Sequence, residues 1–256
     1  MTEIARPPIE YPDSDGQPMA DNTLQFEWIV TLKGNLDLLF ADRPDVFVAG
    51  DLLWYPVEGD NVTRAAPDAM VAFGRPKGYR GSYRQWEEGG VAPQVVFEVL
   101  SPGNRPAEMA RKRDFYERFG VEEYYVYDPD DPRMEGWRRG AAGRFERVPR
   151  MDGFVSPRLG VRFDLSGPEL RVLNPDGSRF LTFAELAEAR RRAEESLERE
   201  RRRSERERRN REAAEKRAAQ ERLDKQAAEK RAETAEQRAA RLAERLRELG
   251  IDPDAD

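Results

Sequence analysis

The stretch QVVFEVLSPGNRPAEMARKRDFYERFGVEEYYVYDP, residues 94–129, decides the fold. Its first seven residues are apolar apart from Gln94 and Glu98, the pattern of a central strand covered on both faces. Ser101-Pro102-Gly103-Asn104 breaks that run. Pro106 then takes the favoured first-turn position of a helix that the spacing carries to Phe119, with Gly120 as its C-terminal stop. Glu123 to Tyr127 returns as a second strand, ended by Asp128-Pro129. Strand, helix and strand at this spacing form a βαβ unit, which implies parallel neighbours.

Outward from this unit, Asp21 can cap a helix running to about Phe40, with Leu24, Trp28, Leu32, Leu36 and Leu39 at helical spacing. Residues 46–48, 52–57 and 69–73 read as strands, and Gly74 to Gly90 as a loop-like insertion. Short strand-like pieces continue to about Val172, with turns at Gly140–Gly143 and Asn174–Gly177. From Thr182 to Leu249 the composition shifts to Ala, Glu, Arg and Lys without Gly or Pro. That is the makeup of one long charged helix or a weak coiled coil. Only Leu242, Leu246 and Leu249 make a seam there, while Leu197 and Leu223 stand alone, so association through it needs a partner that supplies bulk. The expected organisation is a flexible arm (1–20), an α/β domain with a mixed sheet flanked by helices (21–181), a long helix (182–249) and an acidic tail (250–256).

The chain has no Cys and no His among its 256 residues. Thiol nucleophiles, disulfides, His-dependent triads and His-ligated zinc are thereby excluded. Chemistry must run on Asp, Glu, Lys, Tyr, Ser or a hard metal held by oxygen. The net charge of −6 divides unevenly: residues 1–183 carry −7, residues 184–249 carry +4 and the last seven −3. An acidic globular part argues mildly against a general nucleic-acid-binding module. No secretory signal and no apolar run of membrane-spanning length stands out, so a soluble, cytoplasmic protein is expected.

Three residues break their local patterns. Glu98 lies mid-strand in an apolar run, where an unpaired carboxylate costs several kcal/mol (about 3 or more). Strand alternation puts it on one face with Val96 and Leu100, opposite Val95, Phe97 and Val99. A metal site and a buried salt bridge both account for it. Lys112 and Glu108 fall within the apolar stripe of Met109, Phe115, Tyr116 and Phe119, and so face the strand that carries Glu98. Asp68, after Pro67, opens the apolar strand 69–73; an Asp at a strand start is usually a turn or cap residue, so by itself it is a weak signal.

In order, Pro67-Asp68, Glu98-Val99-Leu100-Ser101-Pro102, Glu108 with Lys112 and Tyr116, and Gly120-Val121 through Asp128-Pro129 closely resemble the Uma2 family. This family, also called domain of unknown function 820, belongs to the PD-(D/E)XK nuclease superfamily, and the resemblance covers roughly residues 20–180. It implies a restriction-endonuclease-like fold with Asp68, Glu98 and Lys112 as the catalytic core. Where the superfamily pattern sets a lysine two residues after the acid, this chain has Leu100; the resemblance implies migration of that lysine to the helix, as Lys112. Gly103-Asn104 replaces Ser-Thr, and Glu108 stands where Asp is common.

The resemblance further implies Mg²⁺ or Mn²⁺ bound by Asp68, Glu98 and the main-chain carbonyl of Val99, and hydrolysis of DNA phosphodiesters. Glu108, Tyr116 and Glu27 are accessory candidates; for Tyr116 a place in the core is the competing reading. Arg80, Tyr83, Arg84 and Trp86 interleave aromatics with arginines, which suits nucleic-acid contact, or else plugs the domain edge. A homodimer or a coiled-coil partner along 182–249 is the other expected association. The competing function is an inactive nuclease-like scaffold that presents the long helix. A basic-zipper reading fails because Leu does not recur every seven residues and acids interrupt the basic stretch.

Overall fold

The computed structural model describes residues 9–14, 16 and 18–248, with side chains described to residue 245. The expected acidic tail and the first residues of the expected arm lie outside the described residues. The chain divides into two compact units, Met1–Glu188 and Ala189–Asp256.

The first unit is built on a six-stranded mixed sheet. Its strands are β1 (Val46–Ala49), β3 (Ala69–Phe73), β5 (Val95–Val99), β6 (Glu123–Asp128), β7 (Arg133–Arg139) and β8 (Phe145–Arg147), in the spatial order β1-β3-β5-β6-β7-β8. Within this sheet β5 and β6 pair in parallel, joined through the helix α2 (Pro106–Phe119). The other neighbours in this sheet are antiparallel. The expected βαβ unit is thus present, with Pro106 in the first turn and Gly120 in the left-handed region (φ 104°) at the C-cap.

Both faces of the sheet are covered, which explains why β5 reads as an almost unbroken apolar run. On one face Val95, Phe97 and Val99 pack with Ile29, Leu32 and Leu36 of α1 (Thr23–Leu39) and with C-terminal residues such as Val161, Phe163 and Val172. The last two belong to a separate hairpin of β9 (Arg162–Asp164) and β10 (Arg171–Leu173). On the other face Val96, Tyr124 and Val126 pack with Tyr116 of α2. This alternation leaves Glu98 on the α2 side, as strand geometry requires.

Two local expectations differ from the structure. Asn22, not Asp21, caps α1: its side chain accepts the Gln25 backbone N–H, while Asp21 turns to Ser101. The segment 74–90 is not only loop. It contributes β4 (Tyr83–Arg84), which pairs in parallel with β2 (Trp54–Tyr55), itself shorter than the expected strand 52–57.

From Phe183 to Glu248 the chain forms one helix, α3. Arg190–Glu194, Glu198–Arg202, Arg203–Glu207 and Arg208–Glu212 form i,i+4 pairs along it. Its Leu197, Leu223 and Leu242 are exposed.

Candidate active site

The strand and the helix that flank residues 101–105 deliver their polar side chains to one point. Lys112 of α2 donates from Nζ to Glu98 Oε2 at 2.7 Å. One helical turn on, the Tyr116 hydroxyl donates to Glu98 Oε1 at 2.5 Å. Glu98 is only 3% exposed, so both carboxylate oxygens are engaged in a nearly dry setting. Asp68 sits just before β3, the antiparallel neighbour of β5, and its Oδ2 accepts the Val99 backbone N–H at 2.6 Å.

The electrostatics follow from that packing. Burial raises the Asp68 carboxyl well above the ordinary carboxylate range, and the adjacent Glu98 charge raises it further. The Val99 N–H and the Lys112 ammonium oppose this without cancelling it, and Asp51 adds to it. For Lys112, burial works against the charged form, but Glu98, Asp68 and Glu108 outweigh it and lift the ammonium above its ordinary value. Burial alone would depress this lysine, and the three carboxylates beside it reverse the direction. The Tyr116 hydroxyl is pushed well above its usual value by burial and by Glu98, and so remains a donor.

Above these groups lies a cavity of about 460 Å³. Asp68 lines it, together with Glu108, Arg111, Lys112 and Phe115 of α2. Asp51, Arg64–Ala66, Pro18–Asp21 and Gln25 complete its lining. Glu98 lies behind this lining, buried against Lys112 and Tyr116.

Several of these groups were not anticipated. Gln25 donates from Nε2 to the Val99 carbonyl at 2.9 Å and accepts the Asp21 backbone N–H on Oε1 at 2.8 Å. The Val99 carbonyl, expected as a metal ligand, thus already accepts one hydrogen bond. A neutral amide on a helix gives no signal of this kind in sequence. Asp51 holds a left-handed backbone (φ 46°), a conformation concentrated at turns and functional sites. Arg64 is braced by the Asn61 carbonyl at 3.3 Å.

Of the accessory candidates, Glu108 joins the cavity, whereas Tyr116 is fully buried and meets Glu98 rather than solvent. Glu27 is elsewhere, lining a separate hollow with Trp28, Glu169 and Arg171, because α1 turns it away from Gln25. The aromatic and basic residues of 80–86 are spent on packing. Arg80 pairs with Glu88 at 2.5 Å and covers the Phe47 ring, and Arg84 pairs with Glu87 at 3.3 Å. Tyr83 is fully buried with its hydroxyl on the Val91 carbonyl, and Trp86 packs on Tyr11. A base cannot stack on Tyr83 as it lies here.

Among the described residues no three Asp or Glu side chains cluster as a ready metal cage. The donors present nevertheless suit a hard cation such as Mg²⁺, which is commonly bound through one or two carboxylates, with water and substrate phosphate completing the shell. Two buried acids lie beside one ammonium, and the Asp68 carboxyl is raised first by burial and then by Glu98.

A crystal structure from Anabaena variabilis ATCC 29413, described as "a putative nuclease belonging to DUF820", is similar to this chain with 15% sequence identity and a TM-score of 0.42. The likeness covers 54% of this chain and 75% of that one. No curated protein matches. The family Uma2, described as "Putative restriction endonuclease", matches residues 8–177, well over half of the chain. The chain belongs to the Uma2 family.

Proposed function

We propose that the chain is a divalent-metal-dependent endonuclease that hydrolyses phosphodiester bonds of DNA, with Asp68, Glu98 and Lys112 as its working groups. The observation that carries this reading is the meeting of a helix ammonium with a buried strand carboxylate, 2.7 Å apart, beside a second buried acid. A purely structural ion pair needs no second acid, and the Asp68 carboxylate, although it favours the Lys112 ammonium, is opposed by burial and by the Glu98 charge.

Asp68 and Glu98 would hold Mg²⁺ or Mn²⁺, and the Val99 carbonyl is the third candidate oxygen. Such an ion, when bound, lowers the pKa of water and offsets charge that develops on phosphate. The protein's own part is positional. Tyr116 fixes Oε1 of Glu98 and Lys112 fixes Oε2, so the carboxylate cannot rotate. Lys112, held as an ammonium, lines the cavity and offers positive charge to a phosphate oxygen there. Glu108 supports that charge one turn earlier on α2.

The scaffold reading draws on the exposed α3, and one assay separates the two. Purified protein is incubated with plasmid and with linear DNA, with Mg²⁺, Mn²⁺ or EDTA, beside Glu98→Gln. Metal-dependent cleavage lost in the variant is the expected result. Equal cleavage by the variant rules out this site, and no cleavage by either protein favours the scaffold.

A further inference from the structure

Resting on the nuclease reading of the same cavity, we infer that the substrate strand enters it single-stranded, as unpaired nucleic acid.

The acids are recessed. Asp68 and Glu98 are 7% and 3% exposed, so a phosphate reaches them only by entering the cup. Part of its wall is Pro18–Asp21, where Asp21 accepts the Ser101 hydroxyl and donates its backbone N–H to Gln25. Further upstream, residues 10–12 are tied to residues 55–61. Tyr55 donates its hydroxyl to the Pro12 carbonyl at 2.8 Å, and Asn61 donates to the Glu10 carbonyl at 2.8 Å. The Tyr11 hydroxyl accepts the Gly59 N–H, and its ring packs on Tyr55 and Trp86. A volume of about 460 Å³ lies in the range that encloses a small molecule. That is room for about one nucleotide beside the recessed acids.

Charge points the same way. Duplex DNA carries one negative charge per roughly 1.7 Å of axis and needs a broad basic surface. Here the lining sets Asp21, Asp51, Asp68 and Glu108 against Arg64, Arg111 and Lys112. Arg80 and Arg84, the nearby arginines suited to a second strand, are paired to Glu88 and Glu87. What remains suits one flexible strand: two arginines for flanking phosphates, and Phe115, held edge-on to Trp54 at 5.3 Å, as a hydrophobic wall for a sugar or base.

The test uses the full chain with Mn²⁺ and one labelled oligonucleotide without self-complementarity, free or annealed to its complement. Cleavage of the free strand is expected to be faster by about tenfold or more, with Arg64→Ala and Arg111→Ala each slowing it. Equal or faster cleavage of the duplex overturns the inference and leaves the nuclease reading standing. If neither is cut, the nuclease reading falls, and fluorescence anisotropy of Glu98→Gln with Ca²⁺ decides the remainder. Tighter binding of the free strand, weakened by Arg64→Ala, supports the cup as a single-strand site, and equal or tighter duplex binding removes it.

Discussion

Asp68→Asn is expected to make the metal-free protein more stable. The side chain is 7% exposed and shares its surroundings with Glu98, so its charge is desolvated and repelled at once. Desolvation of a buried ion costs several kcal/mol (about 3 or more) after relaxation. Asparagine keeps a carbonyl oxygen for the Val99 N–H and loses only the charge-assisted part of that bond, about 1 kcal/mol, together with attraction to Lys112. The net gain is about 1–2 kcal/mol, which for a unit of this size is about 2–8 °C in Tm. The sign with pH is fixed by linkage. A carboxyl raised in the fold binds its proton more readily there than in the unfolded chain, so stability falls as pH rises from the ordinary carboxylate value through the raised one. The deficit persists above that interval and vanishes below it. The advantage of the variant should therefore be greatest at alkaline pH and disappear in acid. Thermal melts in EDTA followed by tryptophan fluorescence isolate the right unit, because all four tryptophans lie within Met1–Glu188. Mg²⁺ should then raise the wild-type Tm and leave the variant's unchanged. A variant less stable at every pH, or a difference that ignores pH, would refute the account of Asp68 as an uncompensated charge.

Three further outcomes follow from the same geometry. Tyr116→Phe removes the donor to Glu98 Oε1 and should cost about 1–3 kcal/mol in urea unfolding, with cleavage falling at unchanged metal requirement. Glu123→Gln should also destabilise the fold by about 1–3 kcal/mol, since it turns an amide against one of three donors, the Ser156 hydroxyl, the Tyr125 hydroxyl and the Arg158 N–H; cleavage per folded molecule should not change. Raising NaCl to about 1 M should lower the helical far-UV signal while tryptophan fluorescence holds, because the i,i+4 pairs of α3 are exposed and screened. A helical signal indifferent to salt would show that α3 is held by something other than those pairs.

What the sequence made legible was local pattern and its breaks. β5 and α2 were readable because apolar periodicity, a first-turn Pro106 and a terminal Gly120 are all written within 26 residues, 95–120. Lys112 was readable because a charge on an apolar stripe has to face something. Contacts between distant segments left no such mark. β4 is two residues long and pairs with Trp54–Tyr55 across a loop, so Tyr83 looked available when it is core. Gln25 carries no charge to betray its bond to Val99, and the left-handed backbone of Asp51 cannot be seen in a residue name. Glu98 and Glu123 show where the limit lies. Each is 3% exposed on adjacent strands, yet only Glu98 interrupts an apolar run, whereas Glu123 opens its strand after Glu122 and drew no notice. Their surroundings then separate them chemically. Glu123 receives three donors from the protein, which oppose its burial, and no acid is among the causes that raise it. Glu98 receives one ammonium and one hydroxyl while a second buried acid shares the site. Asp68 closes one bond, to the Val99 N–H, but a neutral asparagine could accept that bond without a second buried charge, so the charge is the part of this site that stability alone does not explain.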